Sequence, residues 1–267
     1  MTQDLSTIIE NMPNLPTMPS IVMEALNIIG NPKSNINQLS DTISKDIALT
    51  TQILKLVNSA YYGFPSQITT INKAMALLGL NKIKSLIMSV AVQPMMMSCY
   101  GASLWEHSIR CAVGCQVLSE SLGLSESDEA FVMGLLHDIG KTILVIHNKK
   151  TVDEIDKLVK VGADRLTAEK MMFGYDHTEI GQKLVDKWRL PLIISSCVRY
   201  HHTPHLSDNL SAVSIVYVAD KISQEQLKYP VLDLDIVDSL DFDIPDPIAL
   251  REKVFEMSKS IISALAK

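Results

Sequence analysis

Residues 36–57 read INQLSDTISKDIALTTQILKLV. Ile36, Leu39 and Ile43 start an apolar stripe, and Ile47, Thr50, Leu54 and Val57 continue it. Spacing of three and four residues is the period of one face of an α-helix. Outward from this stretch the same period governs almost every segment, and start and stop signals are frequent. Ser34 and Thr70 read as N-caps, Gly79 ends one helix, and Asn81 opens the next. Further on, Gly123 is followed by Ser125 with Asp128, and Asp176 by Glu179; both pairs resemble capping boxes. No apolar–polar alternation and no Asn-Gly hairpin signal is present, so the expected fold class is all-α.

Composition narrows the function classes. In 267 residues, 47% are apolar, and Gly and Pro number only eleven each, which excludes disorder and collagen-like chains. Lys and Arg number 24 against 30 Asp and Glu, a formal net charge of −6 without any basic block. Such a surface offers no electrostatic footprint for DNA. Asp4 and Glu10 interrupt the start, so no signal peptide is expected. The uncharged run from Ser85 to Trp105 is broken at Pro94, which favours a buried helix and a connector over a membrane span. Cys99, Cys111, Cys115 and Cys197 form no CxxC pair and read as small core residues in a reducing cytoplasm.

The Pro94–Gly101 connector divides the chain into an N-terminal helical bundle, taken as residues 1–98, and a C-terminal part, residues 99–267. All seven histidines lie in the second part. Asp233, Asp235, Asp238, Asp241, Asp243 and Asp246 lack the Gly and terminal Glu of a calcium loop and read as a solvated acidic loop. After Pro247, Leu250, Val254, Met257, Ile261 and Leu265 mark a closing amphipathic helix.

The sharpest polar signal is Leu135-Leu136-His137-Asp138-Ile139-Gly140-Lys141. Neighbouring side chains on a helix point about 100° apart, so His137 and Asp138 reach one ion only where the helix ends or bends. Gly134 and Gly140 bracket the pair. His107 shares an apolar face with Leu104, Cys111, Gly114 and Leu118, and His177 shares one with Ile180, Gly181, Leu184 and Trp188. Asp220 ends the apolar segment SAVSIVYVA, where a carboxylate is costly to bury unless a cation meets it. That cation is either a metal ion or a Lys or Arg. His201 and His202 follow another apolar segment, at a helix end or an exposed turn. His147, beside Asn148 and two lysines, and His205 are set aside. A histidine and carboxylate set of this kind suits Zn, Mn, Fe or Ni. One or two divalent ions are expected, and with two a bridging water would become a nucleophile for in-line attack at phosphorus. Lys141, one turn beyond, either holds a phosphate oxygen or is a solvated lysine.

His107, His137-Asp138 with Ile139-Gly140-Lys141, and Asp220 resemble the H…HD…D signature of the HD phosphohydrolase superfamily. Leu15-Pro16-Thr17-Met18-Pro19, the run from Gln38 to Leu56, Val57-Asn58-Ser59-Ala60-Tyr61-Tyr62-Gly63, and Ile71 to Gly79 together resemble the HDOD domain, the HD-related output domain. The resemblance spans roughly residues 10–222. It implies an HD-like helical lobe packed against an N-terminal helical bundle, in a cytoplasmic bacterial signal-transduction protein that acts on a protein partner. His107, His137, Asp138, His177, His201, His202 and Asp220 correspond in order to the metal ligands of the related HD-GYP domains, and Lys141 to their phosphate-contacting lysine. Two departures stand beside this match. Thr203-Pro204-His205 follows the paired histidines in place of Gly-Tyr-Pro, and Ser103 stands where three-metal relatives carry Glu. The resemblance therefore implies a regulatory module, or else a metal-dependent phosphohydrolase with Asp138 and Lys141 in catalytic roles. Its substrate would be a phosphodiester, a nucleotide or another phosphorylated small molecule.

Overall fold

The computed structural model of the chain describes Leu5 and residues 15–31, 33, 35–124, 127–226, 229–240 and 242–265. They form helices α1 (Ser20–Ile29), α2 (Ile36–Ser44), α3 (Ile47–Val57), α4 (Ile71–Tyr100), α5 (Ala102–Leu122), α6 (Ser127–Leu136) and α7 (Ile139–Lys160). There follow α8 (Arg165–Phe173), α9 (His177–Lys187), α10 (Leu192–Tyr200), a 3-10 turn (Pro204–Leu206), α11 (Leu210–Ser223), α12 (Leu234–Val237) and α13 (Pro247–Leu265). No strand occurs among the described residues, and the fold is all-α.

The stripe at 36–57 becomes two helices because Asp46 interrupts it: its carboxylate accepts the Leu49 N–H at 2.9 Å and starts α3. Asn35 caps α2, accepting from Gln38 N–H at 2.8 Å; Ser34 lies outside the described residues. The Thr70 cap is in place, and so is the Asp176–Glu179 capping box. The expected cap at Ser125 with Asp128 also falls outside the described residues. Gly79, at φ 79° and ψ 166°, breaks α4 internally, a conformation that glycine adopts without steric cost.

Pro94 does not end α4. The helix runs on to Tyr100, and the break falls at Gly101, at φ 64° and ψ −149°. Pro94 sits on the exposed face while Ala91, Val92 and Met96 are buried, so the lost hydrogen bond is on the solvent side. Two stretches, Ile71–Tyr100 and Glu129–Lys160, are long and apolar enough to cross a membrane by length and composition. Of their most apolar windows, 50% and 78% are buried inside the fold, as expected of core helices.

Helix α4 packs against α1, α2 and α3 and also against α5, α6 and α7. Helix α13 lies across α3, α5 and α11 and buries Leu250, Val254, Ile261 and Leu265, as the closing stripe predicts. The Phe255 ring is held between the Arg251 and Arg110 guanidinium groups, 4.1 and 4.9 Å from its centroid. The late aspartates are more ordered than a solvated loop requires. Asp233 caps α12, and Asp246 accepts the Ile248 N–H at the start of α13; Asp241 lies outside the described residues. Cys111, Cys115 and Cys197 are buried free thiols, while Cys99 is half-buried.

Asn58 ties the segment after α3 to its end. Its amide donates to the Leu54 and Ile68 carbonyls at 2.7 and 2.8 Å, and its oxygen accepts the Ile68 N–H at 2.7 Å. Tyr61 then donates to Gln116 of α5 at 2.8 Å. Asn58→Ala is expected to lower stability by about 1–2 kcal/mol, because the Ile68 backbone loses both partners. An unchanged urea midpoint would refute that role.

Candidate metal centre

Five segments converge at one point. Helix α5 carries His107, the turn between α6 and α7 carries His137 and Asp138, and α9 begins at His177. His201 and His202 follow the end of α10, and Asp220 lies on α11. The helix thus does end at the His-Asp pair. Asp138 occupies the N-cap position of α7 but makes no capping hydrogen bond, which leaves its carboxylate for the cluster.

Small residues at the crossings bring these segments close. A Cβ on Gly134 would lie 2.6 Å from the Cys111 carbonyl oxygen and 2.7 Å from the Cys115 sulfur, so α6 presses onto α5. A Cβ on Gly114 would lie 3.2 Å from that of Ala219, beside Asp220. Gly140 meets His177 and Gly181 backbone to backbone; a Cβ there would fall 1.9 Å from the His177 carbonyl oxygen. Each of these glycines lies within a turn or two of a cluster residue.

Asp138 stands in the middle. Its Oδ2 lies 3.3 Å from His137 Nε2 and 3.6 Å from His107 Nε2. Its Oδ1 lies 3.3 Å from His177 Nε2 and 3.7 Å from His201 Nε2. Asp220 Oδ1 completes the first side, 3.2 Å from His107 Nε2 and 3.8 Å from His137 Nε2. On the second side, His177 and His202 approach Nε2 to Nε2 at 3.2 Å, as His107 and His137 do on the first. Both groups, His107–His137–Asp138 and Asp138–His177–His201–His202, offer ligand atoms within 4.8 Å of one another. All seven residues singled out from the sequence are therefore in one cluster. His147 instead meets the Tyr175 hydroxyl at 2.6 Å, and His205 is exposed.

The outer ring nitrogens determine what the inner ones offer. His137 Nδ1 lies 2.7 Å from the Gly134 carbonyl oxygen, and His201 Nδ1 lies 3.0 Å from that of Val198. A carbonyl only accepts, so each Nδ1 carries a proton, and a neutral ring then presents a bare Nε2 lone pair inward. Burial brings His201 down to about 4 and His202 well below its ordinary value. Burial also opposes charge on His137 and His177, but neighbouring groups outweigh it. Cys111 and Asp138 hold His137 well above its ordinary value, and Glu169 and Asp138 raise His177 to about 9.

These donors fit a divalent cation. Asp138 Oδ1, His201 Nε2 and Asp220 Oδ2 are buried polar atoms without a hydrogen-bond partner, and facing lone pairs at these distances need a cation or proton between them. Lys141 bonds to Asp138 Oδ2 and balances part of the charge, while Lys221 lies 3.6 Å from Asp220 Oδ2. The centre is shut except along one edge, where the His107 and Lys141 side chains each keep 19% of their surface exposed beside a partly exposed His202. Glu169, which nothing in the sequence singles out, lies behind His177. Its Oε2 is 2.7 Å from His177 Nδ1.

The family comparisons agree with this architecture. The HDOD domain matches residues 15–204. An uncharacterized protein of Treponema pallidum (strain Nichols) is 28% identical over 212 residues, 76% of this chain and 41% of that protein. The chain spans less than half the length of the curated relatives it matches. Among solved structures, a candidate phosphohydrolase from Shewanella amazonensis SB2B superimposes with a TM-score of 0.81 at 25% identity, covering 98% of this chain and 97% of that one. An HDOD domain protein of unknown function from Geobacter sulfurreducens also reaches 0.81, at 23% identity and 98% of both chains. The match runs through the N-terminal helices and on past the paired histidines, well over half of the sequence, and the chain belongs to the HDOD domain family.

Proposed function

We propose that this chain is a regulatory module of bacterial signal transduction built around a two-ion centre. His107, His137, Asp138 and Asp220 would hold one ion; His177, His201, His202 and Asp138 would hold the other. The observation behind this reading is the convergence of five imidazoles and two carboxylates, among which Asp138 Oδ1, His201 Nε2 and Asp220 Oδ2 are buried without a hydrogen-bond partner. Because the donors come from separate helices, ion occupancy would tie α5, α9, α10 and α11 together and stabilise that arrangement by mass action. A signalling protein would read the resulting surface. The test is calorimetry of chelator-stripped protein with Mn, Fe, Zn or Ni added back. The melting temperature should rise with metal concentration, and no uptake of any of these metals would remove the basis of the proposal.

A second reading, active phosphohydrolase, is favoured by Lys141 at the open edge and by the likeness to the Shewanella candidate phosphohydrolase. Divalent ions in such a donor set supply Lewis-acid polarisation of phosphoryl oxygens and acidify bound water. Lys141, released from Asp138, would hold a phosphate oxygen, and Asp138 would orient both halves of the centre. Metal-loaded protein is to be screened on phosphodiesters, nucleotides and cyclic dinucleotides beside Lys141→Ala. Turnover that falls at least tenfold in the variant supports hydrolysis; equal, background rates leave the regulatory role.

A further inference from the structure

We infer that Glu169 is a positioning residue for the His177 half of the centre: its carboxylate fixes the His177 ring from behind. The inference rests on the two-ion reading above and adds to it a residue outside the ligand set.

Glu169 is 1% exposed on α8, in the short helix sequence RLTAEKMMF, where only Ala168 and Glu169 are buried. One oxygen, Oε2, accepts the His177 backbone N–H at 2.8 Å and faces His177 Nδ1 at 2.7 Å. The two contacts, to the main chain and ring of one residue, hold both the first turn of α9 and the rotation of the imidazole. A carboxylate can only accept here, so the ring proton sits on Nδ1 and Nε2 is turned toward Asp138 Oδ1 at 3.3 Å.

The carboxylate is itself held. Arg165, one turn earlier on α8, lies 3.5 Å from Glu169 Oε1 and bonds to Asp156 of α7. Burial pushes the Glu169 carboxyl up, but the His177 contacts outweigh it and keep it below its ordinary value. A charged group this deep is costly unless partners meet it, and its partners are His177 and Arg165. In the other half, the outer nitrogen of His137 faces the Gly134 backbone carbonyl at 2.7 Å. A carboxylate behind a ligating imidazole raises its basicity more than a neutral carbonyl does, and loss of such a partner commonly costs 10–100-fold in metal affinity.

The test is a cobalt(II) titration of chelator-stripped full-length protein, wild type beside Glu169→Ala and Glu169→Gln, followed by the visible absorption of the bound ion. In Glu169→Ala the affinity of one of two binding steps should fall by about 10–100-fold, with a changed spectrum for that ion and the other step unmoved. Glu169→Gln keeps an acceptor oxygen and should recover part of the loss; it also serves if the alanine variant fails to fold. A purely structural role would lower the melting temperature and leave both affinities and spectra alone, and that result overturns the inference. Proton NMR of the metal-free protein gives a readout independent of metal. The His177 Nδ1 proton should exchange slowly in wild type and vanish from the spectrum of Glu169→Ala. If wild type binds no cobalt, the two-ion reading fails by itself. The NMR signal then still decides whether Glu169 holds the ring, and its persistence in Glu169→Ala counts against the inference.

Discussion

Asp138→Ala is expected to strip the chain of bound metal. The carboxylate is 1% exposed and belongs to both donor groups, Oδ2 toward His107 and His137 and Oδ1 toward His177 and His201. Burial pushes its carboxyl up, yet Lys141 and His137 outweigh that and hold it well below the usual range. It is therefore charged, and its removal leaves the His107 side with Asp220 alone and the His177 side with no carboxylate among its proposed ligands. Metal analysis of purified protein should give background content for Asp138→Ala, whereas Asp220→Ala should keep about one of the two ions proposed under the two-metal arrangement. Chelator should lower the melting temperature of wild type and leave that of Asp138→Ala unmoved. The metal-free variant should also be less stable by roughly 3–5 kcal/mol, the usual cost of removing one partner from a buried ion pair. The lower end is expected, because Lys141 can turn to solvent. Wild-type metal content in Asp138→Ala would sink the bridging role.

Gly140→Ala is expected to unfold the centre. In an ordinary helix the exchange is favourable by about 1 kcal/mol, and here the sign reverses. The new Cβ would lie 1.9 Å from the His177 carbonyl oxygen and 2.8 Å from the Gly181 nitrogen. Those are backbone atoms of α9, so no flexible side chain can give way and the helix itself must move. Overpacking ordinarily costs about 1–3 kcal/mol and occasionally more; about 3 kcal/mol or more is expected at this crossing, read from a denaturation midpoint. Displacing α9 also moves His177, so metal affinity should fall with stability. Gly30→Ala is the control. Its φ is −74° and its Cβ would meet only ordinary contacts at 3.5 Å or beyond, so its midpoint should stay near wild type. Equal midpoints for the two variants would show that the α7–α9 contact relaxes freely.

Much of the site was legible as chemistry. His107, His177 and Asp220 stand out as polar residues on apolar faces, and Gly134 and Gly140 bracket the His-Asp pair. What could not be read was the pairing. Nothing local says that Asp138 faces both ways, that Asp220 sides with His107 rather than His201, or that Lys141 lies against Asp138. These depend on how five segments cross, and the crossing distances are set by contacts between residues such as Gly114 and Ala219. Glu169 was invisible for the same reason: an acid four residues after Arg165 looks like any solvated helix pair, and only its burial beneath α9 gives it His177 as a partner. Pro94 misled because a proline's effect on a helix depends on which face is buried, a property of the neighbours.

By itself the sequence determined the helical class, the helix starts at Thr70 and Asp176 and the residue types at the centre, because spacing, capping and the cost of burying charge are local or additive properties. The tertiary structure decided which ligands share a side, which carboxylate bridges, and which outer groups orient the rings. Those are distances between atoms far apart along the chain, and they follow from how closely the helices can approach.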